Sequence, residues 1–197
     1  MSTAAAPTRS GVVLADLLPV ARHRYAVDTA LVAAGAALTG IAAQIAVPVP
    51  GSPVPVTGQT FAALLIGTAL GARRGFLALA LYAVVGMAGV PWFSEGSSGA
   101  GGASFGYVLG MLLAATVTGA LARRGGDRSV LRTAGTMAVG SLIIYAVGVP
   151  YLALSTGMSA GAAVAAGLTP FLIGDALKAA LAMGALPASW KLLGRRG

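Results

Sequence analysis

Long apolar stretches, broken by short segments that hold nearly all of the charge, run through most of this 197-residue sequence. Charged residues make up 9% of the chain, whereas a soluble globular domain carries about 25%. The composition therefore excludes a water-soluble globule and a disordered chain, and it indicates an integral membrane protein. Because a spanning helix needs about 20 residues, a chain of this length allows at most about six or seven spans.

Six apolar stretches are candidates for membrane spans, and two of them are short. They cover residues 25–47, 57–70, 75–90, 105–122, 134–154 and 168–186. Arg73 and Arg74 lie between the second and third stretches, and two arginines at mid-membrane would be costly. We therefore expect a tight hairpin over residues 71–75 that keeps both arginines at the membrane surface.

The lysines and arginines occur in every second connecting segment. Of the 13, all except Lys178 fall in the amino-terminal segment, two loops and the carboxyl-terminal tail: Arg9, Arg22, Arg24, Arg73, Arg74, Arg123, Arg124, Arg128, Arg132, Lys191, Arg195 and Arg196. The loops 48–56, 91–104 and 155–167 contain none. Basic residues accumulate in cytoplasmic loops. The alternation therefore predicts six spans in the cell membrane, with both termini in the cytoplasm.

The expected fold is all-α, a bundle of six transmembrane helices within residues 25–190. Residues 1–24 are expected to form a cytoplasmic amino-terminal segment, in which 11–20 make a short helix at the membrane surface. Residues 191–197 are expected to form a basic cytoplasmic tail. The net charge of +8 is then a topology signal rather than a basic stripe with interleaved aromatics, so we expect lipid and not nucleic acid around this chain.

Several kinds of chemistry are excluded by what the sequence lacks. The chain has no cysteine and one histidine, His23, so disulfides, thiolate zinc sites and cysteine nucleophiles are excluded, and no metal or cofactor is expected. A phosphate-binding P-loop motif is missing, so the chain does not hydrolyse ATP by that route. A serine nucleophile would lack a histidine partner, although a Ser–Lys dyad using Lys178 stays formally open.

Asp175 and Lys178 are charged residues inside the sixth apolar stretch. At positions i and i+3 of a helix they share one face, and charged groups within a span usually face the protein interior or a water-filled cavity. Because this span enters from outside, the pair is expected in the outer half of the membrane. It offers an acceptor and a donor to a polar small molecule. The alternative is an internal ion pair that helps the helices to pack.

Further polar and aromatic side chains are expected at the same depth, from the first, second, fourth and fifth spans and an outer loop. They are Gln44, Gln59, Trp92, Ser104, Tyr107 and Tyr151. Each has a structural alternative, either as an interface anchor or as a hydrogen bond between helices. Their convergence beneath the proline-rich loop 48–56 and the glycine-rich loop 91–104 is typical of a small-molecule pocket in the outer half.

Small residues recur on one face of the first span. They are spaced by three and four residues and include Ala26, Ala30, Ala33 and Ala37. Such a stripe permits close approach of another helix, although chance is the alternative in a chain so rich in alanine.

Several short motifs, in this order, resemble one known family. They are Val-Pro-Val-Thr-Gly-Gln-Thr at 54–60, Gly-Ala-Arg-Arg-Gly at 71–75, Gly-Val-Pro-Trp-Phe at 89–93, Phe-Gly-Tyr-Val-Leu-Gly at 105–110, Tyr-Leu-Ala-Leu-Ser-Thr-Gly at 151–157 and Pro-Phe-Leu-Ile-Gly-Asp-Ala-Leu-Lys at 170–178. With them, residues 25–190 resemble the biotin-specific substrate-binding (S) component of energy-coupling-factor (ECF) transporters, the BioY family.

The resemblance implies a non-enzymatic membrane protein that captures biotin from outside. Its implied partners are a transmembrane coupling subunit and two cytoplasmic ATPases. It assigns biotin contacts to Asp175 and Lys178, and less directly to Gln59 and Tyr107. The chain departs from the Gly-Pro-Thr-Gly-Gly-Tyr of many members around Ser104. An S component for another small vitamin, and an intramembrane enzyme using Asp175 or Lys178, are the alternatives.

The family also uses small residues of its first helix to dock the coupling subunit. The resemblance therefore assigns the alanine stripe of the first span to that role.

Overall fold

A computed structural model describes residues 11–18 and 24–194, and most of this part of the chain is helical. The helices are α1 Arg24–Ala43, α2 Gln59–Leu70, α3 Ala72–Met87, α4 Phe105–Arg123, α5 Val130–Thr156, α6 Ala160–Gly167 and α7 Phe171–Gly194. A short antiparallel ribbon of β1 (Ala46–Val47) and β2 (Val56–Thr57) connects α1 to α2. The proline-rich loop, residues 48–55, joins these two strands.

Four of the described helices are long and apolar enough to cross a membrane, namely α1, α4, α5 and α7. Helices α2 and α3 have 12 and 16 residues. At about 1.5 Å per residue they reach about 18 and 24 Å, less than the roughly 30 Å of a hydrocarbon core. The predicted helical membrane protein is thus confirmed, whereas the count of six spans stays a prediction.

One helix lies in the third predicted outer loop, residues 155–167, where the small residues indicated a loop that could contain a re-entrant turn. Gly157 ends α5 with a positive φ of 71°, and Ser159 then caps α6 by accepting a hydrogen bond from the amide of Ala162 at 3.3 Å. Because alanine has the highest helix propensity, the alanine-rich residues 160–167 continue as two helical turns once they are capped.

The hairpin between α2 and α3 is tighter than we expected. Gly71 alone separates the two helices, with φ 85° and ψ 169°, a conformation that suits glycine. Helix α3 therefore begins at Ala72, and both arginines lie in its first turn. Arg73 is exposed. The Arg74 side chain is only 12% exposed because it pairs with Asp16 at 2.7 Å and Asp28 at 2.8 Å.

Residues 11–18 form a segment that we call the amino-terminal strap. We expected a surface helix over residues 11–20. The strap instead contains one 3-10 turn at Leu14–Leu17, and Val13 is fully buried. Arg123 at the end of α4 donates to the carbonyl of Gly11 at 2.8 Å. Residues 1–10 and 19–23, which belong to the predicted amino-terminal segment, lie outside the described part.

Asp16 is the charged residue through which the strap is held. Burial alone would raise its pKa. Hydrogen bonds from Arg74 and from the amide of Val13, together with the charge of Arg123, outweigh that effect and hold the pKa below its ordinary value. The strap therefore carries a stable carboxylate between two arginines at this end of the bundle.

Helix α4 is the centre of the bundle and α7 lies at its edge. In the apolar 18-residue stretch of α4, 61% of the residues are buried, whereas in that of α7 the share is 22%. Two glycines allow the α2–α3 hairpin to lie directly on α4. A Cβ atom on Gly67 would be 2.4 Å from the carbonyl oxygen of Ala115, and one on Gly119 would be 2.3 Å from the amide nitrogen of Ala72.

The sixth apolar stretch was predicted to end at residue 186, but α7 continues through Pro187 to Gly194. Its last turns are held by Trp190, whose Nε1 donates to Asp127 Oδ2 at 2.8 Å. The guanidinium of Arg128 stacks on the same indole at 3.4 Å. Burial raises the pKa of Asp127, and the hydrogen bond from Trp190 only partly offsets this. The first residues of the predicted tail are therefore helical, while residues 195–197 lie outside the described part.

Candidate ligand-binding site

Asp175 and Lys178 lie together on the inner face of α7. Lys178 Nζ is 3.2 Å from Asp175 Oδ1, and their side chains are 17% and 16% exposed, respectively. Ile173 and Leu177, on the outer face of the same helix, are 84% and 64% exposed. The helix thus turns its apolar residues outward and its ion pair inward, as the spacing predicted.

Two neighbouring helices supply partners for this pair. The hydroxyl of Tyr145 on α5 donates to Asp175 Oδ2. Lys178 Nζ donates to the hydroxyl oxygen of Thr60 on α2 at 2.8 Å. We call these four residues the polar cluster. It joins α2, α5 and α7 at one point.

The polar cluster retains capacity for a ligand. An ammonium group has three donors, and Lys178 uses one toward Asp175 and one toward Thr60. A carboxylate offers about four acceptor positions, and Asp175 uses one on each oxygen. The cluster can therefore donate to a carbonyl oxygen and accept from an N–H group at the same time, which is the pattern of an amide or a urea.

The space beside the cluster is small. A cavity of about 10 Å³ is lined by Thr60, Phe61, Leu64, Met137, Ser141, Asp175, Lys178 and Ala179. That volume has room for about one water molecule, whereas small-molecule pockets have about 300–1,000 Å³. Helices or loops around the cluster must therefore separate before a vitamin-sized molecule can bind against it.

Gln44, Gln59 and Trp92, which were predicted at the same depth, lie in a second group. Gln59 is buried and accepts a hydrogen bond from the hydroxyl of Tyr82 at 2.9 Å. Gln44 Nε2 donates to the carbonyls of Trp92 at 3.0 Å and Phe93 at 3.2 Å. The indole of Trp92 donates to the carbonyl of Tyr82 at 3.0 Å. These contacts fasten the start of the glycine-rich loop to α3 and to the residue that follows α1, and they join α2 to α3.

Tyr107, Tyr151 and Ser104 make separate contacts. The hydroxyl of Tyr107 donates to the carbonyl of Gly167 at 2.7 Å, and that of Tyr151 donates to the carbonyl of Ala100 at 2.8 Å. Ser104 precedes α4 without a side-chain capping bond. Within residues 11–18 and 24–194, no hydrogen bond joins any of the six predicted neighbours to Asp175 or Lys178.

An aromatic row connects one of these residues to the polar cluster. Tyr107 stacks on Phe171 with ring centroids 6.2 Å apart, and Phe171 meets the ring of Tyr145 edge-on at 6.4 Å. Tyr107 is therefore one ring removed from the cluster.

Tyr145 and Thr60 were missed as site residues by sequence reasoning. Tyr145 stands in the middle of the fifth apolar stretch, and a buried tyrosine hydroxyl normally requires a partner. Thr60 follows Gln59 directly. Those two signals could have identified both residues as candidates, although not the groups that they contact.

A larger cavity, of about 380 Å³, lies at the opposite end of the bundle, beneath the amino-terminal strap. Four of its five charged groups pair with one another: Asp16 and Asp28 both bind Arg74, and Arg123 lies 3.5 Å from Asp16, while the fifth, Arg24, is exposed. The polar cluster, with donor and acceptor positions still open, is therefore the better candidate for ligand binding despite its smaller cavity.

The predicted alanine stripe of α1 lies on the outside of the bundle. Ala26, Ala30, Ala33 and Ala37 are all exposed, whereas Ala36, about a quarter-turn away around the helix, is buried. This face of α1 is therefore accessible in the described part of the chain.

An apolar helical bundle that holds an acidic–basic pair against polar groups of two other helices defines a multi-pass membrane protein with a buried polar site. The sequence model of the BioY family matches residues 14–195. The chain therefore belongs to the BioY family, and the resemblance that its motifs indicated is confirmed.

Relatives and a solved structure agree with this assignment. The probable biotin transporter BioY of Pyrococcus horikoshii is 35% identical over 159 residues, which are 79% of this chain and 91% of that protein. The biotin transporter BioY2 of Lactococcus lactis is 36% identical over 154 residues, or 77% and 83%. The fold is similar to the crystal structure of an S-component for biotin from an ECF-type ABC transporter, with a TM-score of 0.77 and 19% identity, covering 87% of this chain and 95% of that one.

Proposed function

We propose that this chain binds biotin and mediates its uptake as the S component of an ECF-type transporter, without catalysing a reaction itself. The observation that carries the proposal is the polar cluster, in which Asp175 and Lys178 keep an acceptor and a donor open on the inner face of α7. The names of its relatives support biotin as the ligand.

The chemistry of biotin suits this cluster. Its ureido ring has two N–H donors and one carbonyl oxygen. In the proposed complex Asp175 accepts from an N–H group and Lys178 donates to the carbonyl. The apolar ring system would then pack on Phe61, Leu64 and Met137, which line the cavity beside the pair. A few fixed polar groups in an apolar surround is the usual composition of such a site.

Binding requires the cluster to open, because the cavity of about 10 Å³ is far smaller than the ligand. Helix α7 is the least buried of the four long apolar helices, and it packs mainly on α5. We propose that α7 and the two outer loops, residues 48–55 and 88–104, move apart to admit biotin and then close over it.

The proposed topology has six spans in the cell membrane, with both termini in the cytoplasm. The short helices α2 and α3 cross as a hairpin in this arrangement, and the polar cluster lies in the outer half. The basic loops and the strap then lie on the cytoplasmic side, as the positive-inside rule favours.

The proposed partners are a transmembrane coupling subunit and two cytoplasmic ATPases. The exposed alanine stripe of α1, made of Ala26, Ala30, Ala33 and Ala37, is the proposed docking surface for the coupling subunit. Its small side chains would allow a partner helix to approach closely.

A thermal-shift screen of the purified protein against a panel of vitamins tests the proposed ligand. A molecule that binds only the native state raises the melting temperature, so biotin should raise it in a concentration-dependent way. A shift with a different vitamin and none with biotin would assign the chain to another substrate. Consumption of biotin by the isolated chain would indicate an enzyme.

A further inference from the structure

Tyr145 donates to the Asp175 oxygen that Lys178 does not contact, and its ring is held by packing. The residue is 8% exposed, and its ring meets Phe171 edge-on at an interplanar angle of 70°. Phe171 is stacked in turn on Tyr107, at 17°, and the hydroxyl of Tyr107 is bound to the carbonyl of Gly167 at 2.7 Å. Packing therefore fixes the ring of Tyr145, and with it the position of its hydroxyl group.

That hydroxyl controls the orientation of the Asp175 carboxylate. Tyr145 donates to Oδ2 while Lys178 donates to Oδ1. A tyrosine hydroxyl has a single proton to donate, and here it is directed at the carboxylate. One carboxylate oxygen accepts from Tyr145 of α5 and the other accepts from Lys178 of α7. The carboxylate therefore cannot rotate without breaking both hydrogen bonds. Its remaining acceptor positions are fixed before any ligand arrives.

Without Tyr145, Asp175 would be held by Lys178 alone. The carboxylate would then be free to turn toward the ammonium group and use both oxygens on it. The carboxylate and the ammonium group would have to separate again before a ligand could bind. The rotational freedom of the carboxylate would also be lost on binding. Both effects weaken affinity, and a preorganised site avoids them.

We propose that Tyr145 is a positioning residue for the ligand site: it acts through Asp175, whose carboxylate it holds in the orientation that accepts an N–H group of the ligand. This inference rests on the proposed function, because it takes biotin as the ligand. It assigns Tyr145 no ligand contact of its own.

A double-mutant cycle with Asp175 tests this role. Tyr145→Phe keeps the ring and removes the hydroxyl, and Asp175→Asn keeps the shape and removes the charge. Biotin affinity is measured by competition with labelled biotin, in lipid nanodiscs, for the unchanged chain, both single variants and the double variant. We expect Tyr145→Phe to weaken binding about tenfold in the unchanged background, the size expected for a lost hydrogen bond to a charged group.

In the Asp175→Asn background the same change should cost less than about twofold, because interacting residues are not additive when one acts through the other. A structural role for Tyr145 would give an equal loss in both backgrounds. Equal losses, or normal biotin binding by Tyr145→Phe, would overturn the inference while leaving the proposed function intact. Failure of the unchanged chain to bind biotin would instead refute the proposed function.

A second variant keeps the test decisive if Tyr145→Phe does not fold. Thr60→Val removes the hydroxyl that holds the other half of the pair, at 2.8 Å from Lys178 Nζ, and keeps the side-chain shape. In a folded Tyr145→Leu chain, the loss of affinity should again depend on Asp175, and it should not simply add to the loss from Thr60→Val, because both residues belong to one hydrogen-bond network. Loss that is independent of Asp175 would contradict the positioning role.

Discussion

Lys178 of α7 donates a 2.8 Å hydrogen bond to Thr60 of α2, and the two helices make few other contacts with each other. Thr60 belongs to the polar cluster, while the preceding residue, Gln59, is turned toward Tyr82. The first turn of α2 therefore contacts the polar cluster through Thr60 and the hydroxyl of Tyr82 through Gln59. Separation of α7 from α2 would break the bond to Thr60 and expose the unused hydrogen-bonding positions of Asp175 and Lys178.

Close packing of α2 on α4 depends on Gly67. A Cβ atom there would lie 2.4 Å from the carbonyl oxygen of Ala115 and 2.5 Å from Thr118 Oγ1. We expect Gly67→Ala to destabilise the protein by about 1–3 kcal/mol, the usual cost of overpacking. The measurement is the melting temperature of the purified variant.

The matched control for that change is Gly135→Ala in α5. A Cβ atom on Gly135 would meet no heavy atom within 4 Å, so the higher helix propensity of alanine should leave stability unchanged or raise it by up to about 1 kcal/mol. Equal melting temperatures for Gly67→Ala and the unchanged chain would show that α2 and α4 are less tightly packed than described.

The amino-terminal strap should depend on pH through Asp16. Its pKa in the folded protein is below the ordinary value, so the carboxylate stabilises the fold above about pH 4, the region of its unfolded pKa. This contribution is lost as the pH falls through the lower folded value. Asp16→Asn should therefore cost about 1–3 kcal/mol at pH 7, and the difference from the unchanged chain should shrink toward pH 3.

Glu95→Gln is the control for the strap, since Glu95 is an exposed acid in the glycine-rich loop. It removes the same charge without touching Arg74 or Arg123, and its melting temperature should follow that of the unchanged chain at every pH. An Asp16→Asn protein whose melting temperature is normal at pH 7 would rule out Asp16 as the strap's anchor.

The proposed topology predicts which positions are accessible from outside the cell. Single cysteines at Ser52 and Ser98, in the two outer loops, should react with a membrane-impermeant thiol reagent in intact cells. A cysteine at Ser129, which caps α5 beside the basic loop, should react only after lysis. Labelling of position 129 in intact cells would contradict the six-span arrangement.

The exposed stripe of α1 should affect uptake without affecting capture. A bulky residue at Ala30 or Ala33, both exposed, should block close approach of a partner helix. Biotin binding by the purified chain should survive, while uptake and co-purification of the coupling subunit should fall.

Ala36→Leu is the contrasting variant for the stripe, because Ala36 is buried against the chain's own helices at 1% exposure. It should lower the melting temperature whether or not a partner is present. Unchanged uptake after substitution of Ala30 and Ala33 would mean that the stripe has no docking role.

Sequence reasoning was accurate where the determining pattern is local. The spacing of Asp175 and Lys178 fixes their shared helix face, and the apolar stretches locate the long helices. The partners of that pair come from 30 residues away at Tyr145 and 118 residues away at Thr60. Periodicity carries no information about which side chains meet across such separations, so the polar cluster could be only half predicted.

Local reasoning also could not identify the partners of polar side chains that the fold buries. Gln59 and Gln44 were placed near the correct helix ends, but their hydrogen bonds go to Tyr82 and to the backbone of the glycine-rich loop. Arg74 was predicted at the membrane surface, but nothing in the sequence indicated that two carboxylates on separate segments would cover its side chain. Neither pairing has a signature in the residues that surround it in the chain.

Direct titration of the purified chain with biotin, compared with Asp175→Ala, Lys178→Ala and the double variant, tests the central claim most directly. Removing one member of a buried charged pair costs about 2–5 kcal/mol, so each folded single variant should bind at least about 30-fold more weakly. The unchanged chain should bind biotin saturably and without turnover. A folded double variant that binds biotin as tightly as the unchanged chain would contradict the account and leave Asp175 and Lys178 as a packing ion pair.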